Sequence, residues 1–405
     1  MTRLPVRTVA VNEDRPLLEL LPDPDGVVWV RGFDGLVGWG EAARFDPGTG
    51  EDRFARAAEW FGQVVASARV DDQVGAPGCG LVAFASFTFD PSTSGSVLVV
   101  PAVVVGRRHG GSWLTLTGSA QVPSLVSVAV PGPGDRVRYA GASKPDLRWL
   151  EAIAEAITRI EDGRLDKVVL ARDELVWTRS PVDARLLTRR LHDRFGDCWT
   201  FLVDALVGAT PELLVRRAGD QITSIVLAGS ARRGDDVTDD VRIGEELLAS
   251  KKDRHEHQLA VDSVRDVLAG RCEHLQVDNE PWLRRLANVQ HLATTVSGRT
   301  REAGTALELA GALHPTAAVG GAPTDVAIDV IRELEGMDRG RYAGPVGWVD
   351  ARGDGEFGIA LRCAQIAGAR ARLFAGAGVV AGSLPEEELE ETRLKLRAMQ
   401  SAFEG

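Results

Sequence analysis

The sequence predicts a globular chain of mixed short strands and helices, and three observations carry that expectation. Hydrophobic residues make up 44% and charged residues 26% of its 405 positions, the balance of an ordinary water-soluble fold. Apolar runs of period two, bounded by glycine and charged turns, recur from Leu4 to about Val130 and again later in the chain. Between the later runs lie stretches of 3.6-residue periodicity with start and stop signals of their own.

The totals also exclude several classes. Lys and Arg number 47 against 58 Asp and Glu, a net charge of -11, and no basic block is long enough to follow a phosphate backbone, so nucleic acid is not an expected partner. Cys79, Cys198, Cys272 and Cys363 show no CxxC spacing and read as reduced thiols. The N-terminus lacks the apolar core of a signal peptide, and Pro101 interrupts the longest apolar run, Val97 to Val105. No membrane segment is expected, and a cytoplasmic location follows by elimination. The length admits one large core or two modest ones and does not choose between them.

In chain order, strands are expected at Gly26 to Val30, Gly35 to Trp39, Gly80 to Phe87 and Ser96 to Val105, with one helix from about Glu51 to Arg69. This first portion reads as scaffold. Pro131 to Asp135 resembles a joint, after which Ser143 and Asp146 predict a capping box for a helix ending at Gly163. A strand follows from Asp166 to Trp177. On it Lys167 shares a face with Val169 and Ala171, and the segment alone reads it as a solvated strand-end lysine.

One strand is expected over Phe201 to Val207, then a hairpin around Gly219-Asp220, with Glu212 at its first strand and exposed on the simplest reading. Leu227 to Arg232 is glycine-hinged and basic, a composition able to bring N–H groups close to an anion. Ser250 opens a helix on which Glu256 shares a stripe with Leu259, Ala260, Ser263, Val264 and Val267. A carboxylate buried there requires a cation, a metal or a strong donor; the other reading is a solvated first turn at the positive end of the helix dipole.

His291 lies inside a strand from Asn288 to Val296, and Leu313 to Pro323 forms a loop before a helix from Asp325 to Leu334. Tyr342 to Trp348 and Glu356 to Ala364 read as strands, with Arg362 alternating within the second and therefore paired. A last strand, Leu373 to Ala381, leads through a Ser383–Glu386 capping box to a helix ending at Phe403. There Glu388, Glu391 and Lys395 form a stripe beside Leu389, Leu396, Met399 and Phe403. Gly376, Gly378 and Ala381 match the dinucleotide fingerprint by spacing only, because Pro385 delays the helix and no second strand follows.

The motifs Lys167-Val-Val-Leu-Ala-Arg, Pro211-Glu-Leu-Leu, Leu227-Ala-Gly-Ser-Ala-Arg, Lys252-Asp-Arg-His-Glu-His, His291-Leu-Ala-Thr, His314-Pro-Thr-Ala-Ala, Gly344-Pro-Val-Gly-Trp and Gly376-Ala-Gly-Val-Val occur in that order, followed by Glu388 and Glu391. In this the chain resembles the chorismate-utilising enzymes, which include isochorismate, salicylate, anthranilate and aminodeoxychorismate synthases. The likeness covers roughly residues 145–400, while 1–130 match weakly.

The resemblance implies a single α+β domain over 1–405: two packed antiparallel sheets with helices outside and one active site in a cleft. It further implies bound Mg2+, with Glu256 and Glu391 as ligands and Glu388 close by or acting through water. Gly229, His291, Ala318, Arg362, Gly376 and Lys395 are the implied contacts to chorismate. Members of the family that add water carry a lysine base where Lys167 stands, and Ala318 agrees with them. The implied activity is therefore isochorismate synthase, with Lys167 as general base and Glu212 as general acid, no glutaminase subunit, and a place in menaquinone or siderophore biosynthesis. Salicylate synthase, which also eliminates pyruvate, is the alternative.

Overall fold

The longest apolar run becomes the strand Val97–Arg108, and the sheet architecture branches from it. The computed structural model describes residues 3–130, 137–301 and 304–405, so the joint expected at 131–135 lies outside the described residues. One edge of Val97–Arg108 pairs first with Val82–Ser86 and then with Gly111–Thr117, while its other edge pairs with Asp34–Phe45. Pro101 is accommodated because it stands where the partner strand bulges between Glu41 and Ala43.

Two antiparallel sheets diverge from this shared strand. The first continues from Val82–Ser86 through Pro345–Asp350, Gly355–Ile359, Leu213–Ala218 and Gln221–Arg232 to Val289–Thr300. The second continues from Asp34–Phe45 through Val27–Arg31, Trp199–Val203, Leu206–Thr210, Cys363–Ala367 and Arg370–Val380 to Lys167–Trp177. The expected α+β class with two antiparallel sheets is present, joined at one seam. Among the described residues, Leu4–Val11 against Ala68–Asp72 is the one parallel pairing.

Strand alternation sorts the apolar residues into two cores. On Trp199–Val203, Trp199 and Phe201 turn to a core they share with Phe84, Trp348 and Phe357 of the first sheet. Leu202 turns the other way, toward Leu187 and Leu191 of the helix Ala184–Arg194 and Leu396, Met399 and Phe403 of the helix Pro385–Glu404. Those two helices thus cover the outer face of the second sheet, and the helix Lys251–Ala269 lies on Gln221–Arg232 and Val289–Thr300 of the first. Removal of these faces from water holds the layers together.

Several local expectations change. Phe201 to Val207 is two strands, not one, because Asp204 and Ala205 turn a tight hairpin with φ of 50° and 61°. The run Glu356 to Ala364 breaks before Cys363, and Arg362 stands at the break with φ 47° rather than alternating within a strand. Ser143 does not cap a helix. Its N–H and hydroxyl donate to Asp173, and the helix Asp146–Glu161 has no side-chain cap. Ser383 likewise accepts from the Val380 N–H, leaving proline in the first turn as the start signal of the last helix. The helices Ala184–Arg194, Val237–Ala249 and Ala306–Leu313 went unforeseen; Thr305 opens the last of them with a reciprocal box to Glu308.

Candidate active site

The far ends of the two sheets converge on a tight cavity of about 60 Å3. Its walls include Glu212, Gly229, Glu256, His291, Ala318, Arg362, Gly376, Glu391 and Lys395. Nine of the eleven residues singled out from sequence therefore face one space. The other two are displaced from it: Lys167 is wholly buried behind the wall, and Glu388 lines the wide acidic mouth that adjoins the cavity.

Lys167 opens its strand between Val380 and Ala322 on the neighbouring strands, so no edge is left to water. Its Nζ lies 3.1 Å from Glu256 Oε1 at an angle too poor for a hydrogen bond. The solvated reading of Lys167 is thereby excluded. Glu256 borders the inward stripe of its helix, which His257, Ala260, Val261, Val264 and Leu268 form. His257 anchors that helix: Nδ1 donates to the Ala228 carbonyl (3.2 Å), and Nε2 accepts from the Thr294 hydroxyl (2.7 Å). Burial brings its imidazole down to about 4 and keeps it neutral. Opposite Glu256, a Cβ on Gly378 would stand 2.1 Å from Oε1, so the missing side chain leaves the carboxylate its room.

Glu212 is not exposed; it is 3% accessible, at the crossing from the second sheet to the first. Burial pushes its carboxyl up to about 8, against the opposing pull of the Leu227 backbone N–H and of Lys167, Lys395 and Arg362. At neutral pH it carries a proton.

The left-handed backbone at Arg362 places its guanidinium against His291, where NH2 meets Nε2 at 3.1 Å. A guanidinium only donates, so Nε2 is the bare nitrogen and the imidazole proton sits on Nδ1, 2.9 Å from Ser230 Oγ. Burial and the charges of Arg362 and Lys395 hold His291 far below its ordinary value. Ser230 in turn donates to Glu391. It occupies this position because Gly229, at φ 75°, forms a bulge in the strand pairing.

On the last helix Lys395 pairs with Glu391 at 2.5 Å and donates to the Gly376 carbonyl at 2.8 Å. Burial would raise the Glu391 carboxyl, yet Lys395 and the hydrogen bonds from Ser230 and Glu388 hold it low. Glu388 is raised by burial and by the charge of Glu391, and its other partner is Lys252 at 2.9 Å. Sequence reasoning missed Ser230 and Tyr342. Tyr342 faces the cavity, stacks on Phe374 at 5.1 Å and has no hydrogen bond to its hydroxyl among the described residues. An aromatic beside a Gly-Pro turn carries no signal by itself.

Two carboxylates, Glu256 and Glu391, front the cavity, and no three His, Cys, Asp or Glu side chains among the described residues converge as a closed cage. That donor set fits a hard divalent cation completed by water and a ligand carboxylate, and does not fit a structural zinc site.

Comparison with known proteins agrees with this geometry. Residues 134–404 match the family model described as chorismate binding enzyme. The isochorismate synthase MenF of Bacillus subtilis is 37% identical over 354 residues, covering 80% of this chain and 75% of its own. The salicylate biosynthesis isochorismate synthase of Pseudomonas aeruginosa is 36% identical over 398 residues, with 90% and 82% covered. The structure of MenF, the menaquinone-specific isochorismate synthase of Escherichia coli, matches with a TM-score of 0.82 at 28% identity over 99% of this chain and 94% of that one.

Proposed function

The chain belongs to the chorismate binding enzymes, and from that premise we propose that it is an isochorismate synthase, converting chorismate to isochorismate with Mg2+. One observation carries the reading. Glu212, protonated at neutral pH, lines the cavity, and Lys167 stands directly behind its wall against Glu256, an acid and a base arranged about one space.

In this mechanism Lys167 Nζ takes a proton from the water that bonds to C2, the ring double bonds shift, and Glu212 gives its proton to the departing C4 hydroxyl. One water enters and one leaves, so the reaction is an isomerisation. Arg362 and Lys395 hold substrate carboxylate by charge-assisted hydrogen bonds, while neutral His291 fixes the Arg362 fork without adding a charge. The Tyr342 hydroxyl and the backbone at Gly229 and Gly376 complete the cradle. Two bare carboxylates about 4 Å from a substrate carboxylate would cost roughly 4 kcal/mol each at an effective dielectric near 20. Magnesium held by Glu256 and Glu391, with Glu388 behind them, would supply the offsetting charge and polarise the ring.

The same reading treats 1–405 as one catalytic unit, since the first 130 residues supply the seam from which both sheets diverge. It calls for no glutaminase subunit and places the enzyme in the cytoplasm; no helix among the described residues is long and apolar enough to cross a membrane. The test is incubation of the purified protein with chorismate and magnesium, with EDTA and Lys167→Ala controls. Isochorismate without pyruvate is expected. Stoichiometric pyruvate and salicylate would reassign the chain to salicylate synthases, and a requirement for ammonia would overturn the role of Lys167.

A further inference from the structure

The strand that carries Lys167 runs out of backbone partners on one edge, and two side chains take over. The short strand Gly321–Ala322 pairs only with Val168 and Lys167, and the Val169 N–H still reaches the Gly320 carbonyl at 2.8 Å. Past that point the outward groups of the strand turn to Glu335 and Arg339. Arg339 donates from Nη2 to the Val169 carbonyl at 2.6 Å, and the Ala171 N–H donates to Glu335 Oε1 at 2.7 Å. An edge left bare here would bury unpaired backbone groups.

The same guanidinium grips a second segment. Its Nη1 donates to the Val319 carbonyl at 2.8 Å, while Nε meets the two Glu335 oxygens at 3.0 and 2.9 Å and Nη2 meets Oε1 as well. Both side chains are buried, and the guanidinium lies 4.1 Å from the centre of the Phe89 ring. The Arg339 carbonyl accepts from the Tyr342 N–H at 3.1 Å. Val169, Val319 and Tyr342 all line the active-site cavity, whereas Glu335 and Arg339 stand behind it. One ion pair therefore ties together the strand that begins at Lys167, the loop that carries Ala318 and the turn that carries Tyr342. Burial alone asks only that each group have some partner. A planar fork whose two ends hold carbonyls of different segments also sets the spacing between them.

We propose that Glu335 and Arg339 are positioning residues for the reaction: by fixing Val169 against Val319 they set the wall that presents the substrate ring to Lys167. The proposal rests on the reading of the cavity as a site for chorismate. In that reading substrate charge is met on other walls, by Arg362 and Lys395, and the metal glutamates Glu256 and Glu391 stand on two other helices. A shift of this wall thus alters the approach of ring to base more than it alters binding. Displacement of about 1 Å is enough to cost on the order of a hundredfold in rate.

The test compares the full-length parent with Arg339→Lys, which keeps the charge opposite Glu335 but cannot span two carbonyls, and with Glu335→Asp, which keeps the charge and shortens the reach. Two variants are used so that if one fails to fold the other decides. Chorismate turnover is measured per folded molecule, with urea unfolding to count it, and magnesium binding by calorimetry. In each variant kcat should fall about ten- to hundredfold, with KM changed less than about twofold and magnesium affinity unchanged. A pair that only holds the fold together would lower the unfolding midpoint and leave kcat at the parental value, which would overturn the proposal. A raised KM at parental kcat would overturn it too, by making this wall a binding surface, as would weakened magnesium affinity, by showing damage beyond the wall. Inactivity of the parent would overturn the chorismate reading and the proposal with it, and is told apart because it appears without any variant.

Discussion

Replacing Glu212 with Gln should make the protein more stable and nearly inactive, with the stability gain tied to pH. The folded carboxyl lies at about 8 against an ordinary 4.5, and it is buried, so the difference reaches stability almost unscreened. Between those values the folded state keeps a proton that the unfolded chain has lost. The sign follows: stability is fully present below 4.5, falls as pH rises toward 8, and levels off above it. At 1.36 kcal/mol per pH unit, the loss at pH 7 is about 3 kcal/mol. Glutamine keeps the shape and has no such slope. Urea unfolding at pH 5, 7 and 9 should then show Glu212→Gln gaining on the parent as pH rises, by up to about 3 kcal/mol at pH 7. Chorismate turnover should fall by about a hundred- to ten-thousandfold, the usual cost of losing a general acid. A pH-independent stability difference would mean that Glu212 ionises normally, and near-normal turnover would remove it from the acid role.

Further outcomes follow from the same geometry. Gly378→Ala should fold yet lose about a hundredfold in turnover, because its Cβ displaces the Glu256 carboxylate; magnesium titration of activity should show a matching rise in half-saturation. Ser230→Ala removes the hydroxyl between His291 and Glu391, and its loss should raise KM for chorismate about tenfold while Ser230→Thr restores it. The parent's turnover should decline above pH 8 as Glu212 loses its proton, with no inflection near 6.5 from His291, which stays neutral; a single break near 6.5 in the rate profile would refute that neutral state.

Much of the site was legible because its residues sit in short motifs whose order survives reading. Nine of the eleven chosen residues line one cavity. What the sequence hid was depth and direction. Lys167 begins its strand, a position that usually faces water, and only the pairing of Val380 and Ala322 on either side shows it to be enclosed. Arg362 looked like an alternating strand residue, but alternation assumes continuous extended backbone, and its φ of 47° breaks that assumption. Ser230 lies within the Leu227-Ala-Gly-Ser-Ala-Arg motif, but nothing there marks its side chain. Its importance arises from the bulge at Gly229, which exists only once two distant strands have paired.

The charges of the assembled cavity explain why these residue types occur together. Arg362 and Lys395 are the cations that line it, with Lys167 behind the wall, and Glu256 and Glu391 are the formal anions, because burial keeps Glu212 protonated and His291 neutral. Each anion already has a lysine, at 3.1 and 2.5 Å, leaving Arg362 as the one cation without a carboxylate beside it. A substrate with two carboxylates would find one charge met and the other facing Glu256 and Glu391. A divalent cation held by those glutamates would reverse that imbalance, and in drawing Glu256 toward itself would leave Lys167 without its counterion. With Lys167 and Glu256 in their proposed roles, their contact would make magnesium affinity and base function interdependent. Lys167→Met should accordingly alter magnesium binding, read directly by calorimetry without turnover; an unchanged affinity would show that the 3.1 Å contact has no part in holding Glu256 ready.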